Sequence, residues 1–426
     1  MSEPLQLSRS AGLLNQLGGA QIPSCAPGKL KVLWLLADIA HGGIGTYTTN
    51  LFKSIVGRTV LPTAVVFYTC NPATTDFSLA RALSQFTRVI CTDERRVPEE
   101  VKHANPHIEF VPGSRIYDEL LDQCDIVTTA SNNPHVLTRT DWRGKPLLVQ
   151  LHSTCSETAR IAKRLRRYAT HFLVTSLEAH TAATTLFGLP PDRVTMIESG
   201  VDANRLASWL PPLELRKAFL RDGDHCISSG FAERSHWLLY FGRFASEKRI
   251  PLIADAVRLL NESGQAWIGV FVGDGRNASN IKARIRQAIP HHHLLMPWVP
   301  SVGDIINASD VFICASDYEG GPISSLEALL AGIPVLSTDV GILPSVKLPR
   351  MPGDAEDVVY HSLGSTPTPR HIANVAGSVV RDKMPMTRSV ADHCLAVQAA
   401  GRFSIRRMAD DWNRVLRLVA AQREKI

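Results

Sequence analysis

The 426-residue chain has eight cysteines, at 25, 70, 91, 124, 155, 226, 314 and 394, and no two of them stand at CxxC spacing. Several lie inside apolar runs, so they read as reduced packing residues and not as a disulfide or metal framework. No stretch approaches the ~20 consecutive apolar residues that a spanning helix needs. The amino terminus also lacks a basic segment followed by an apolar one, so neither an anchor nor a signal peptide is expected and a cytoplasmic location is. A net charge of +6 is modest for this length, compatible with an anionic ligand and too diffuse to argue for nucleic acid. Hydrophobic residues at 45% and charged residues at 20% exclude disordered, coiled-coil and fibrous classes. A folded chain of this size exceeds one comfortable core and calls for two domains with room for a cleft between them.

Residues 1–28 are small and polar without a sustained period and read as a loose tail. Short apolar runs then alternate with helix-length segments, at 31–36, 63–68, 88–91, 125–130, 146–152, 172–176 and 194–197. Runs without internal alternation mark strands buried on both faces, as in βαβ units. After a polar stretch that contains proline, a second series follows at 237–241, 267–272, 294–297, 310–315 and 333–337, with helices expected over 250–261, 278–288 and 323–331. The expected organisation is a tail (1–28), a first Rossmann-like acceptor domain (29–205), a linker (206–235), a second Rossmann-like donor domain (236–400) and a final helical region (401–426). In such α/β sheets ligands bind beyond the carboxyl ends of the strands, which puts the site in the cleft.

The most informative stretch runs EGGPISSLEALLAGIPVLSTDVG from Glu319 to Gly341. Pro322 suits a first helical position, Gly320 and Gly321 permit close backbone approach, and free amides at the helix start would face an anion. Glu319 and Glu327 are separated by about 7 Å along a helix axis at 1.5 Å per residue, enough to hold different parts of one polyhydroxylated ligand. Taken singly, each could equally be a solvated acid near a helix start. Arg243 and Lys248 follow an apolar run, where a fork and a point charge would suit a diphosphate leaving group. A surface charge pair after a turn is the alternative.

Glu319-x7-Glu327 within that run resembles the signature of glycosyltransferase family 4, a GT-B group acting with retention. Gly242-Arg243-x4-Lys248, Val272-Gly-Asp-Gly275, Trp298-Val-Pro-Ser301 and the turn Glu198-Ser-Gly-Val-Asp202, with Ser199 where the family has Asn, stand in the family's order. The resemblance covers about 30–418. It implies two doubly wound parallel-sheet domains facing across a cleft, with a carboxyl-terminal helix (Gly401-Arg-Phe-Ser-Ile, then Trp412) returning to the first. It also implies a nucleotide-sugar donor (UDP-sugar by default, GDP-mannose next), an acceptor that is a small molecule, a glycan or a lipid-linked sugar, and no metal or other cofactor. By the same likeness, Arg243 and Lys248 meet the pyrophosphate, Glu327 the ribose, Glu319 the sugar hydroxyls, and Gly320, Gly321, Pro322 and Ile323 the sugar and phosphate. Val299 would meet the base edge, His152 the donor sugar, and Gly42 with Gly43 the phosphate and acceptor; Glu319, His152, Arg243 and Lys248 are the catalytic candidates. The usual glycine-rich turn after the second strand of the signature is missing. That departure keeps open an inert GT-B scaffold, and a nucleotide-sugar epimerase of the same fold is a third reading.

Other features read more plainly. Gly42, Gly43 and Gly45 fail the GxGxxG spacing of a dinucleotide loop, and His41 beside them has no assigned role. His291-His-His293 has no acid or cysteine at ligand spacing and reads as a loop before a strand. Asp222-Gly-Asp224 imitates a metal-binding DxD but reads as a turn. Arg160, Lys163, Arg164, Arg166 and Arg167 crowd one predicted helix: either a solvated face or a contact with an anionic membrane at its inner leaflet, or with a phosphorylated acceptor.

Overall fold

The computed structural model describes residues 28–39, 42–71, 75–93, 96–130, 134–275, 277–299, 302–346, 360–381 and 401–423. The tail up to residue 27, His41, Pro300 and Ser301 lie outside them, as does 382–400.

Two parallel sheets account for the alternating pattern. The first has the order β4-β3-β2-β1-β5-β6-β7-β8. Its strands are β1 Leu30–Asp38, β2 Val60–Thr69, β3 Val89–Cys91, β4 Glu109–Phe110, β5 Ile126–Thr129, β6 Leu147–Leu151, β7 His171–Val174 and β8 Val194–Met196. The second has the order β11-β10-β9-β12-β13-β14. It is built from β9 His236–Phe241, β10 Trp267–Val272, β11 His293–Met296, β12 Val311–Cys314, β13 Val335–Ser337 and β14 Tyr360–Ser362. The pairings between these strands are all parallel, and inner strands such as β6 and β10 are buried at every residue, which is why they read as unbroken apolar runs.

In each sheet the strand order reverses once at the centre, between β1 and β5 and between β9 and β12. Helices leaving a parallel sheet on opposite faces at such a reversal open a crevice beyond the strand ends. Helix α1 (Gly43–Ile55) leaves β1 there, with Tyr47, Leu51 and Ile55 buried on the shared face expected from their spacing. Helix α2 (Ser156–Leu165) follows β6 and buries Ile161, Ala162 and Leu165, leaving Arg160, Lys163, Arg164, Arg166 and Arg167 exposed.

The stretch read as a linker is more structured than expected. Helix α3 (Pro212–Asp222) buries Leu215, and its Arg216 donates to the Ala308 carbonyl at 2.7 Å and to Asp310 at 2.8 Å while lying over the Trp237 ring. Those bonds tie it to the second sheet. Asp224 bridges to Leu295 and pairs with Arg286, so the DxD imitation is held by an edge contact. His293 begins β11 and its Nδ1 meets the Ile289 carbonyl at 2.8 Å, in keeping with a strand entry.

Helices α4 (Ile250–Glu262) and α5 (Ala278–Ala288) cover the second sheet, and α6 (Ile323–Leu330) links β12 to β13. Finally α7 (Ile405–Arg423) returns to the first half and packs along α1. Its Trp412 is fully buried near Trp34 and donates to the Tyr47 hydroxyl at 2.7 Å. Arg402 ties the halves from the same end, forking onto Glu198 while donating to the Ser345 carbonyl at 3.0 Å. Burial would push the Glu198 carboxyl up, but Arg402 and Arg407 hold it below its usual range.

Candidate functional site

Both reversal points open into one cavity of about 370 Å³, within the range that small-molecule sites occupy. Asp38, Gly42, Gly43, Ala130 and His152 line it from the first half, and Tyr240 to Lys248 and Cys314 to Glu327 supply much of the other wall.

The Arg243–Lys248 loop leaves the end of β9 and is pinned from below. Tyr240 donates its hydroxyl to the Arg243 carbonyl at 2.8 Å, and Phe244 donates its amide to the Asp274 carbonyl at 2.8 Å. A Cβ on Gly273 would lie 2.0 Å from the Gly242 oxygen. The Val272-Gly-Asp-Gly275 motif thus seats the cationic loop, while none of its residues lines the cavity except through that loop.

Lys248 Nζ lies 2.6 Å from Glu319 Oε1, a pair in which both side chains are largely covered. Burial alone would push the ammonium down, but the adjacent carboxylate holds it above its ordinary value. Ser316 donates to the same Glu319 oxygen at 2.8 Å. Arg243 pairs with Glu247 at 2.8 Å and is half exposed at the rim. Both cations line the same cavity as residues 320–323 and the first turn of α6, whose amides have no intrahelical acceptors.

Glu327 is no solvated acid. It is 2% exposed, and burial raises its carboxyl to about 7, against the lowering effect of Arg205. Its Oε1 has an ion-pair contact with Arg205 at 3.3 Å and no hydrogen bond among the described residues. A buried carboxylate oxygen left so is costly unless a ligand hydroxyl completes it.

From the first half, Gly42 caps α1 at φ +151, a backbone region that favours glycine, and Gly43 opens the helix. His152 follows β6, its Nε2 3.1 Å from Gln150 Oε1, and Gln150 in turn donates to Thr128 at 2.9 Å. The Tyr47 ring stands edge-on to the imidazole at 4.9 Å. Desolvation pushes His152 down to about 4, so it is neutral at physiological pH.

Three expectations change. Pro322 is the N-cap of α6, with ψ at 88° outside the helical region, so the helix begins at Ile323 and not at the proline. Gly320 and Gly321 are needed first for contact between the halves: a Cβ on Gly320 would lie 2.0 Å from the His152 carbonyl oxygen, and one on Gly321 would lie 2.3 Å from Ser199 Oγ. Val299 packs partly buried against the core, and its neighbours Trp298 and Val302 line the cavity in its place.

Two groups escaped sequence reasoning. Arg205 sits on a short 3-10 turn behind Asp202, whose carboxylate caps it. Glu178 reaches across the cleft to accept the Gly341 amide at 2.6 Å. The only signal for either was proximity to motifs already read, since such contacts join residues far apart in the chain.

The family model described as "Glycosyltransferase Family 4" matches residues 41–205, and that described as "Glycosyl transferases group 1" matches residues 227–349. Among characterised relatives, the Escherichia coli UDP-Gal:alpha-D-GlcNAc-diphosphoundecaprenol alpha-1,3-galactosyltransferase is 27% identical over 35% of this chain, a match that spans only 38% of that enzyme's length. Glycogen synthase of Mycobacterium tuberculosis is 23% identical over 90% of this chain and 91% of its own. Among solved structures, Anabaena HepE in complex with UDP-glucose superposes with a TM-score of 0.68 at 16% identity, covering 91% of this chain and 99% of HepE. At that identity the likeness concerns the fold, which is GT-B.

Proposed function

Because the chain belongs to the family 4 glycosyltransferases of GT-B fold, we propose that it moves a sugar from a nucleoside-diphosphate donor to an acceptor hydroxyl, with retention and without a metal. The observation that carries this reading is the meeting of Lys248, Glu319, Glu327 and the start of α6 in one cavity facing His152 and the Gly42–Gly43 turn. UDP is the first nucleotide to test, since HepE was solved with UDP-glucose, and GDP is second.

In this reading the diphosphate lies against Lys248, Arg243 and the first-turn amides of α6, which take up the charge released as the glycosidic bond to phosphate breaks. Metal independence rests on those groups as the source of positive charge. Glu319 is held by Lys248 and Ser316 with one oxygen committed, leaving the other to orient sugar hydroxyls. Glu327 takes the ribose. Neutral His152 offers a hydrogen bond on the opposite wall without bringing a second charge near the reacting carbon. The acceptor enters over Gly43, α2 and the end of β1, and the galactosyltransferase relative makes a lipid-linked sugar one class to test.

The exposed cations of α2 would then hold the protein at an anionic membrane face. Thermal shift against UDP, GDP, ADP and TDP tests the donor site; stabilisation by at least one is expected, and none by any would remove the reading. Incubation with the matching nucleotide sugar, with and without acceptor, followed by mass analysis, separates transfer from epimerisation and from an inert scaffold.

A further inference from the structure

We propose that Arg205 is a positioning residue for the donor nucleotide: it keeps the buried Glu327 carboxylate ionised and aimed into the cavity so that it can accept both hydroxyls of the ribose. The proposal rests on the donor reading above, and takes it one residue further.

The geometry starts at the turn Glu198-Ser-Gly-Val-Asp202. Asp202 is buried, is paired with Lys53 of α1 at 2.7 Å, and accepts the Asn204 amide, which fixes the 3-10 turn Ala203–Leu206. That turn is pressed against the second half, where a Cβ on Gly303 would lie 2.7 Å from the Leu206 carbonyl group and 2.8 Å from the Arg205 oxygen. The Arg205 side chain is thereby launched toward α6, and its Nη1 comes to 3.3 Å from Glu327 Oε1. Both residues line the cavity.

At that separation the guanidinium supplies charge to the carboxylate without a short hydrogen bond, and Glu327 Oε1 remains uncompleted. This is the state expected of an acceptor waiting for a hydroxyl donor. A vicinal diol presents two O–H groups that can each donate to one carboxylate oxygen, a pattern a protonated carboxyl cannot receive in full. Burial drives Glu327 toward the protonated form and Asp202 adds to that drive, while Arg205 opposes both. The charged groups facing Glu327 from the packed elements are Arg205 and Asp202 of the turn and, behind Asp202, Lys53 of α1.

Calorimetric titration of the full chain with the nucleoside diphosphate that stabilises it (UDP, GDP or ADP) and with its 2′-deoxy counterpart, between pH 5.5 and 8.5, tests this. The wild type is expected to prefer the ribonucleotide by about tenfold, with affinity rising as pH passes through about 7. In Arg205→Ala the preference should fall below threefold, and the midpoint of the pH profile should move upward, since more alkali is needed to ionise Glu327. Ionisation of the ligand's own phosphate is common to both proteins and cancels in the comparison. Arg205→Lys should retain the midpoint, which a role confined to packing would not require, and melting of the ligand-free variants controls for folding. An Arg205→Ala protein that keeps both the diol preference and the wild-type pH midpoint would overturn the proposal while leaving the donor site intact. A wild type that binds no nucleoside diphosphate would remove the donor site itself, and this inference with it.

Discussion

On the carboxyl-terminal side of the cleft, charged groups touch one another: Lys248 meets Glu319 at 2.6 Å, Arg243 meets Glu247 at 2.8 Å, and Glu327 sits buried beneath Arg205, which reaches it from the first half. On the amino-terminal side the turn after β1 and the end of β6 offer backbone and a neutral side chain, Gly42, Gly43 and a histidine held uncharged by desolvation and bonded to Gln150, while Asp38 and Glu157 also line the cavity. Preassembled ion pairs suit a ligand that carries and releases charge, whereas a glycine backbone and a neutral imidazole suit a hydroxyl group. On the proposed function, the leaving group belongs on the side of Lys248 and the acceptor on the side of Gly43.

Lys248→Ala should cut most deeply into that contrast, because it removes the cation from the charged wall and leaves Glu319 with Ser316 alone. Turnover should fall by roughly 10²–10³-fold, as when one preorganised transition-state donor is lost, with the fold retained by circular dichroism. Gly320→Ala attacks the contact between the two walls. The added methyl must displace the His152 carbonyl, and a shift of that order should lower turnover by about 10²-fold and loosen closure, visible as a larger radius of gyration in solution scattering with nucleotide present.

Glu327→Gln sharpens the comparison by separating stability from function. The wild-type carboxyl titrates at about 7 in the folded protein, above the ~4.3 of an unfolded glutamate, so its charged form opposes folding and stability is lost as pH rises between those values. The glutamine variant should therefore match the wild type near pH 4.5 and exceed it at pH 8 by up to ~3 kcal/mol, read from denaturant melts. Its nucleotide affinity should nevertheless drop by about tenfold. Arg243→Ala, at the half-exposed rim, should lower turnover less than Lys248→Ala does, by several-fold only. Reversing Arg160 and Lys163 to Glu should weaken low-salt binding to anionic vesicles and leave turnover on a soluble acceptor unchanged.

Much of this architecture was legible in the chain because parallel strands are buried on both faces and leave unbroken apolar runs; 267–272 and 278–288 coincide with the observed strand and helix. Of the four edge strands, β8 and β11 coincide with the runs at 194–197 and 294–297, and the other two leave no such trace. β4 is two half-buried residues, Glu109–Phe110, and β14 is Tyr360–Ser362, so neither stood out. Helix α3 buries Leu215 alone, and a single buried residue gives no period, so the stretch read as a linker. The candidate residues were picked out by motif, but their partners were not. Lys248 and Glu319 stand 71 residues apart, and Arg205 and Glu178 find their partners across the cleft, in contacts that only folding creates. The same cause hid the second demand on Gly320: it lines the cavity, as a glycine beside a helix start suggests, and it also abuts the His152 carbonyl of the opposite half.

The central claim is that the wall bearing Lys248 is a diphosphate site. Calorimetric titration of the wild type and of Lys248→Ala with UDP, and with GDP should UDP not bind, tests it most directly. The account predicts saturable binding by the wild type and at least tenfold weaker binding by the variant; equal affinity in the two proteins would contradict it.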